Sequence, residues 1–334
     1  MLKQSQGILV TGGAGYIGSH VVEQLIKKKN QIFILDNLVT GSKKLINKKA
    51  KFIKGDIKNI KTVNKILKKY NIDTIIHLAA YLNISDAEKY KKKYFNNNIL
   101  GTENLIKACQ NTKVKNVIFS SSCSIYGNIE GAVSENKKPN PMGYYAYTKY
   151  RGENIIKKNS KKYNYRYAIL RYFNVAGASH SNKIGEIESS HGHLFKNLAI
   201  QALKKNPVIN IFGNDYKTKD GTCIRDYIHV SDLADIHIKC IELLKKKKSL
   251  VLNYGYGKGY SVKDIVNIFK KLKKNCIVNY KDRRPGDVAQ VYANTKKFKK
   301  ILKLKPKYNN IKKILQSAIN WEKKLKSNTN KGQY

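Results

Sequence analysis

Short apolar runs alternate with longer amphipathic, lysine-rich stretches through the first half of the chain. The runs Gly7–Thr11 (GILVT), Gln31–Leu35 (QIFIL), Lys51–Ile53, Thr74–Leu78, Asn116–Ser120 and Tyr167–Arg171 have the length and apolar content of buried strands. Helix-length segments fall between them, near 17–29, 60–70, 94–111 and 144–163. Strands alternating with helices predict an α/β domain whose doubly wound parallel sheet carries helices on both faces. Beyond about residue 175 the alternation weakens, with glycine-rich turns at 213–221 and 255–259 and a helical tail at 309–326. This predicts a smaller mixed α/β C-terminal domain. The expected division is 1–174 and 175–334, with 225–253 returning a strand and a helix to the first domain.

Composition narrows the class. A chain of 334 residues is long enough for a large core and for two domains. The 41% apolar fraction, arranged in regular segments, argues for a globular protein despite the charge. No apolar run approaches the roughly 18 residues of a membrane span; the stretch 72–80 stops within ten. The start, MLKQSQGILVTGGAG, enters a strand directly and predicts no signal peptide. Cys109, Cys123, Cys223, Cys240 and Cys276 are odd in number, dispersed and free of CxxC pairs, which predicts reduced thiols in a cytoplasm. The formal charge is +44, yet only six of the 66 basic residues are arginines, at 151, 166, 171, 225, 283 and 284. Lysine brings charge without the planar fork that reads bases or clamps phosphates. The excess therefore reads as a solvated surface bias. The run at 245–248 reads as cations closing a helix.

The first chemical signal is TGGAGYIGSH, residues 11–20, placed directly after the first strand and opening the first helix. Gly12, Gly15 and Gly18, or Gly13, Gly15 and Gly18 read as GxGxxG, let backbone amides approach a pyrophosphate at a helix N-terminus. The second strand ends in Asp36, 18 residues beyond Gly18, where a carboxylate bonds the adenosine ribose and repels a 2′-phosphate. The pair predicts a Rossmann-type domain and NAD rather than NADP. Asp56, in KGDI, either reaches the adenine edge or caps a turn.

The second signal is a serine, a tyrosine and a lysine. The strand NVIFS runs into Ser120, Ser121 and Ser122, and YYAYTK follows at 144–149. Tyr145 and Lys149 are four apart and share one helix face, whereas Thr148 follows Tyr144 and Arg151 follows Tyr147 at that spacing. An adjacent ammonium and a positive nicotinamide would stabilise the phenolate of Tyr145, and Ser122 would hydrogen-bond the same substrate oxygen.

These residues resemble the extended short-chain dehydrogenase/reductase family and, within it, the UDP-hexose 4-epimerases. The resemblance runs from GILVTGGAGYIGSHV through LDNLVTG, HLAA, YFNNNILGTENL, FSSSCSIYG, RYFNVAGA and IFGNDYKTKDGTCIRDYIHVSDLAD to NYGYGKGYSV and RRPGD. It implies a tightly held NAD and no net redox change. Tyr145 takes the proton of the sugar 4-hydroxyl as hydride leaves C4, the 4-keto sugar turns, and hydride returns to the other face. It also implies that Lys149 positions the nicotinamide ribose and that Tyr16, Ile17, Asn37, Ile57, Asn97 and Phe173 line the cofactor site. Arg225 and Arg284 match diphosphate ligands, Asp287 a uridine-ribose ligand and Phe212 a wall against uracil. Asn174, His193 and Leu194 match contacts to the nucleotide sugar, and a homodimer is implied.

The chain departs from that pattern at Ile84-Ser85-Asp86-Ala87 and at Lys91, which bears on the hydrogen bonds near nicotinamide and sugar. Val291 stands where the family controls room at the sugar 2-position, so UDP-GlcNAc and UDP-GalNAc join UDP-glucose and UDP-galactose as candidates. Dehydratases of the family carry an Asp-Glu pair after the catalytic hydroxyl; here Cys123 and Ser124 stand there. A uronate epimerase or decarboxylase remains open. A nucleic-acid-binding protein on the same fold would need clustered charge, and the lysines are diffuse. His191 and His193 lack an evident third ligand, so no metal is expected.

Overall fold

The computed structural model describes residues 6–187, 193–246, 248–284 and 286–330. The strands are Gly7–Thr11 (β1), Gln31–Asp36 (β2), Lys51–Lys54 (β3), Ile72–His77 (β4), Asn116–Ser122 (β5) and Gly131–Val133 (β6). Then come Arg166–Tyr172 (β7), Asn174–Ala176 (β8), Val208–Phe212 (β9), Ile224–His229 (β10) and Leu250–Tyr254 (β11). Gly259–Ser261 (β12), Ile277–Lys281 (β13) and Gln290–Ala293 (β14) complete the set.

The chain divides into two compact units. One gathers the chain to Gly127, Lys138–Tyr172 and Ala234–Leu252; the other gathers Asn128–Lys137, Phe173–Leu233 and the chain from Asn253. The returning stretch is narrower than the 225–253 expected, because β10 pairs with β8, β12 and β14 of the second unit. Only Ala234–Leu252 rejoins the first.

The first unit is built on a seven-stranded sheet of order β11-β7-β5-β4-β1-β2-β3. Neighbours from β3 to β7 along that order are parallel. Strand order reverses at β1 and β4, so the carboxyl ends of β1, β2, β4 and β5 open on the crevice that such sheets use for ligands. Leu9, Val10, Ile34, Ile75, Ile76, Val117 and Ile118 are buried there, which explains why these strands read as continuous apolar runs. The helices Tyr16–Lys27, Ile60–Lys69 and Tyr144–Ser160 fall within three residues of their sequence-based bounds.

The helix expected at 94–111 differs. It runs as Lys91–Tyr94, a π-helical stretch Phe95–Leu100, and Gly101–Lys107. The wider turn carries Asn97 and Asn98 into the interior, where both are buried. All four hydrogen-bonding positions of the Asn98 amide are used: it accepts from Tyr81 N (2.9 Å) and Asn97 Nδ2 (3.0 Å), and donates to Tyr81 O (3.1 Å) and Thr148 Oγ1 (3.1 Å). Those bonds offset the irregular ladder.

The second unit holds the sheet β12-β10-β14-β6, with β8 beside β10, and the parallel pair β13-β9. Its core joins Phe195, Leu198, Ile209, Ile211, Tyr227, Ile265, Phe269, Ile314 and Leu315. The helix Val262–Leu272 starts at a capping box, with Ser261 and Asp264 each bonding the other's backbone.

Candidate active site

In the first unit, β1 ends in the glycine turn. Gly12 has φ +74°, and a Cβ on Gly18 would lie 2.1 Å from Gly12 O, so only glycines allow the turn to close against the helix Tyr16–Lys27. Gly15 is the N-cap of that helix, with Tyr16 and Ile17 in its first turn. Asp36, buried at the end of β2, accepts from Ala14 N (3.0 Å, Oδ2) and Leu38 N (2.9 Å, Oδ1). Burial raises its pKa against those amide bonds. Each oxygen keeps a further lone pair for a ribose hydroxyl. Asp56 caps its own turn through Lys58 N (2.8 Å) and also accepts from Asn37 Nδ2 (3.0 Å), which links the ends of β2 and β3. Ile57 is in the core.

The groups expected to react meet at the end of β5. Ser122 Oγ accepts from Ser124 N (3.2 Å) and Ser124 Oγ (2.9 Å), so its own proton is free to point at the Tyr145 hydroxyl, to which it is hydrogen-bonded. Burial pushes the Tyr145 phenol above its ordinary value, and the Ser122 bond works the other way. Lys149 Nζ donates to Ser120 O (2.8 Å) and stands 5.9 Å from the Tyr145 ring centroid. Burial lowers its pKa to about 7. Lys149 is therefore anchored to the strand beside the phenol. His77, at the end of β4, sits between Thr11 Oγ1 (2.8 Å) and Thr102 Oγ1 (2.9 Å). Thr102 gives its proton to Asn98 O (2.6 Å), so His77 donates from Nε2 and accepts at Nδ1, a neutral tautomer.

The departure at 84–87 forms a short helix, Ile84–Lys89, which Asn83 caps by accepting from Asp86 N (2.9 Å). Asp86 pairs with Lys93 (3.0 Å). Glu88 Oε1 accepts from Tyr144 N, so this segment holds the start of the helix that carries Tyr145.

In the second unit, Arg225 Nη2 and Asp287 Oδ1 are 3.2 Å apart, and the Arg284 guanidinium lies 4.1 Å over the Phe212 ring. Asn174 faces Tyr227 across the β8–β10 register, two residues along from Arg225. His193 Nδ1 meets Glu186 Oε1 at 2.6 Å, and Leu194 begins the helix Leu194–Gln201. Phe173 is buried, its N–H donating to Tyr254 O (3.2 Å). His191 and Gly192 lie outside the described residues. Among the described residues no group of three His, Cys, Asp or Glu could hold a metal, and no helix is long and apolar enough to cross a membrane.

Several neighbours of these groups escaped the sequence. Asn98, Ser124 and His77 carry no spacing signal of their own. Tyr216 is buried with a hydroxyl that has no partner among the described residues, and Arg283 stacks on its ring at 4.2 Å. Glu153 was detectable, because it continues the Tyr145-Lys149 spacing by four.

Residues 8–255 match the family model described as "NAD dependent epimerase/dehydratase family". The chain is similar to the UDP-glucose 4-epimerase of Lactobacillus helveticus, with 40% identity over 95% of this chain and 97% of that protein. Its fold is similar to the crystal structure of UDP-glucose 4-epimerase from Brucella ovis in complex with NAD: TM-score 0.89, 35% identity, 94% of this chain and 97% of that one. It is also similar to the UDP-Glc/GlcNAc 4-epimerase of Campylobacter jejuni, with TM-score 0.83, 37% identity, and 96% and 99% of the two chains covered.

Proposed function

The chain belongs to the NAD dependent epimerase/dehydratase family, and on that premise we propose that it interconverts UDP-hexoses epimeric at C4. The observation that carries this reading is the convergence of Ser122, Tyr145 and Lys149 at the carboxyl end of the sheet whose glycine turn and Asp36 fit a dinucleotide. Gly12, Gly15, Tyr16, Ile17 and Gly18 would cradle the NAD pyrophosphate, Asp36 and Asn37 the adenosine ribose, and Asp56 and Ile57 the adenine side. Asn97, Lys149 and Phe173 would line the nicotinamide side. When bound, NAD supplies a hydride acceptor and donor for the sugar C4.

The protein's own part is proton handling and orientation. Ser122 directs its O–H toward the Tyr145 oxygen, which favours the phenolate that burial opposes. Tyr145 takes the proton of the 4-hydroxyl and later returns it to the 4-keto oxygen. Lys149, fixed to Ser120 O, places a titratable amine beside that phenol, where it would hold the nicotinamide ribose. On the second unit, the Arg225 and Arg284 guanidiniums suit a diphosphate, Phe212 a uracil face, and Asp287 a ribose hydroxyl. Asn174, His193 and Leu194 would complete the nucleotide-sugar contacts. Cys123 and Ser124 offer no carboxylic acid for dehydration.

Val291 lies on β14 opposite Arg225, and a side chain of this size supports acceptance of N-acetylated sugars. Phe95, Leu100 and Tyr147 are large apolar side chains left exposed, which supports a homodimer. Five free cysteines support a cytoplasmic setting. The test is to release nucleotide from denatured protein, identify it, and run a coupled assay on UDP-galactose and UDP-GalNAc. NAD and conversion of UDP-galactose are expected; loss of the C6 hydroxymethyl proton signals in the product would overturn simple epimerisation.

A further inference from the structure

Glu153 lies on the helix Tyr144–Ser160, four residues after Lys149 and eight after Tyr145, on the same stripe of that helix. It is fully buried. Its Oε1 accepts from Ser121 Oγ (2.6 Å) and Arg171 Nε (2.8 Å), and its Oε2 from Arg171 Nη2 (2.7 Å) and Lys157 Nζ (2.9 Å). Arg171 Nη1 donates in turn to the Tyr126 hydroxyl (2.8 Å). Burial alone would raise the Glu153 carboxyl, but the bonds and charge of Arg171, with Lys157 and Ser121, outweigh it and hold it below its ordinary value.

Ser121 and Arg171 are register partners on β5 and β7. One carboxylate therefore ties the helix to two neighbouring strands. The stripe meets three consecutive residues of β5: Tyr145 bonds Ser122, Lys149 bonds Ser120 O, and Glu153 bonds Ser121. Side chains alternate along a strand, so Ser122 turns toward the reacting groups while Ser121 turns back to Glu153. Gly152 adds closeness, since a Cβ there would stand 2.6 Å from Phe119 Cζ. The fork of Arg171 accepts a carboxylate in a narrow range of angles, which fixes the rotation of the helix as well as its distance.

We propose that Glu153, gripped by Arg171 and Ser121, is a positioning residue for the reaction: it sets the rotation and depth of the helix on β5 and so keeps the Tyr145 hydroxyl on Ser122. The inference rests on the epimerisation proposed above. Misplacement of reacting atoms by an ångström can cost about a hundredfold in rate, so the effect belongs in turnover rather than in substrate affinity.

The experiment compares wild type, Glu153→Gln and the double variant Glu153→Met with Arg171→Met, each carrying its copurified NAD, on a UDP-hexose. Glu153→Gln is expected to lower kcat at least about tenfold, with KM within about twofold and unchanged NAD content. The acid limb of its kcat profile should move to higher pH, because the Ser122 bond no longer favours the phenolate. The double variant removes the buried charges together; it is expected to keep wild-type thermal stability and still show low kcat, even if Glu153→Gln fails to fold. A folded variant of either kind with wild-type kcat and pH profile overturns the proposal and leaves only a structural role. A wild-type protein that epimerises no UDP-hexose overturns the proposed reaction itself, and the positioning role with it.

Discussion

At the residue scale, burial sets the chemistry. It pushes the Tyr145 phenol up and the Lys149 amine down, and the Ser122 bond to Tyr145 favours its ionised form. Replacing Tyr145 by Phe removes the proposed proton carrier but none of the proposed dinucleotide contacts. Turnover should fall by at least about a thousandfold with NAD retained, measured by coupled assay and nucleotide release; ordinary activity in that variant would contradict the assigned base. Two histidines give a pH signature of the fold. Burial lowers His20 to about 4 and His77 to about 3, from 6.5 for both. Both rings are neutral in the folded protein near neutral pH, while the unfolded chain takes up protons as pH drops through 6.5. Stability is thus lost progressively from pH 6.5 toward 4 for His20 and toward 3 for His77, at about 1.4 kcal/mol per unit for each ring. The denaturant midpoint should fall between pH 6.5 and 5; a flat midpoint would contradict buried neutral rings.

At the element scale, the regular parts were legible and the irregular one was not. Apolar runs located β1 through β5 within two residues: β1, β2, β4 and β5 are buried almost throughout, while β3, at the sheet edge, is only partly buried and was legible from its central Phe52 and Ile53. The glycine turn was legible because its backbone conformation demands glycine, and Asp36 because the proposed ribose contact calls for a carboxylate at the end of β2. The π-helical stretch Phe95–Leu100 left no trace in periodicity, since its cause is the Asn98 amide reaching Tyr81 and Thr148, residues far away in sequence. Likewise the Arg171 guanidinium, read from sequence only as part of a motif, turns out to face Glu153 through a pairing of β5 with β7. Replacing Asn98 by Ala should strand the Tyr81 backbone groups and cost roughly 2 kcal/mol or more in a denaturant titration. A cost below about 0.5 kcal/mol would show that the stretch holds its shape without the amide.

At the scale of the whole molecule, the dominant quantity is the charge of +44. Acidic partners are few, so self-repulsion opposes the compact state. Raising salt from about 10 mM to about 0.3 M shortens the screening length from roughly 30 Å to under 10 Å. The melting temperature should therefore rise by several degrees over that range in calorimetry, and a fall would show that ion pairs outweigh repulsion. Most of the lysines lie outside the motifs, Lys149 being the one with a proposed chemical role, and the arginines with proposed diphosphate duties, Arg225 and Arg284, sit among aromatic and acidic partners.

Lys149, bonded to Ser120 O and buried, differs from the rest in one further way. Burial lowers its pKa to about 7, so near neutral pH a sizeable share of its amines carries a bare lone pair, while an ordinary lysine leaves roughly one in three thousand deprotonated. The chain thus hides a reactive amine inside a coat of cations. An amine-directed electrophile small enough to enter NAD-free protein should mark that one position ahead of the surface lysines, and occupancy of the dinucleotide cradle becomes countable as protection from the label.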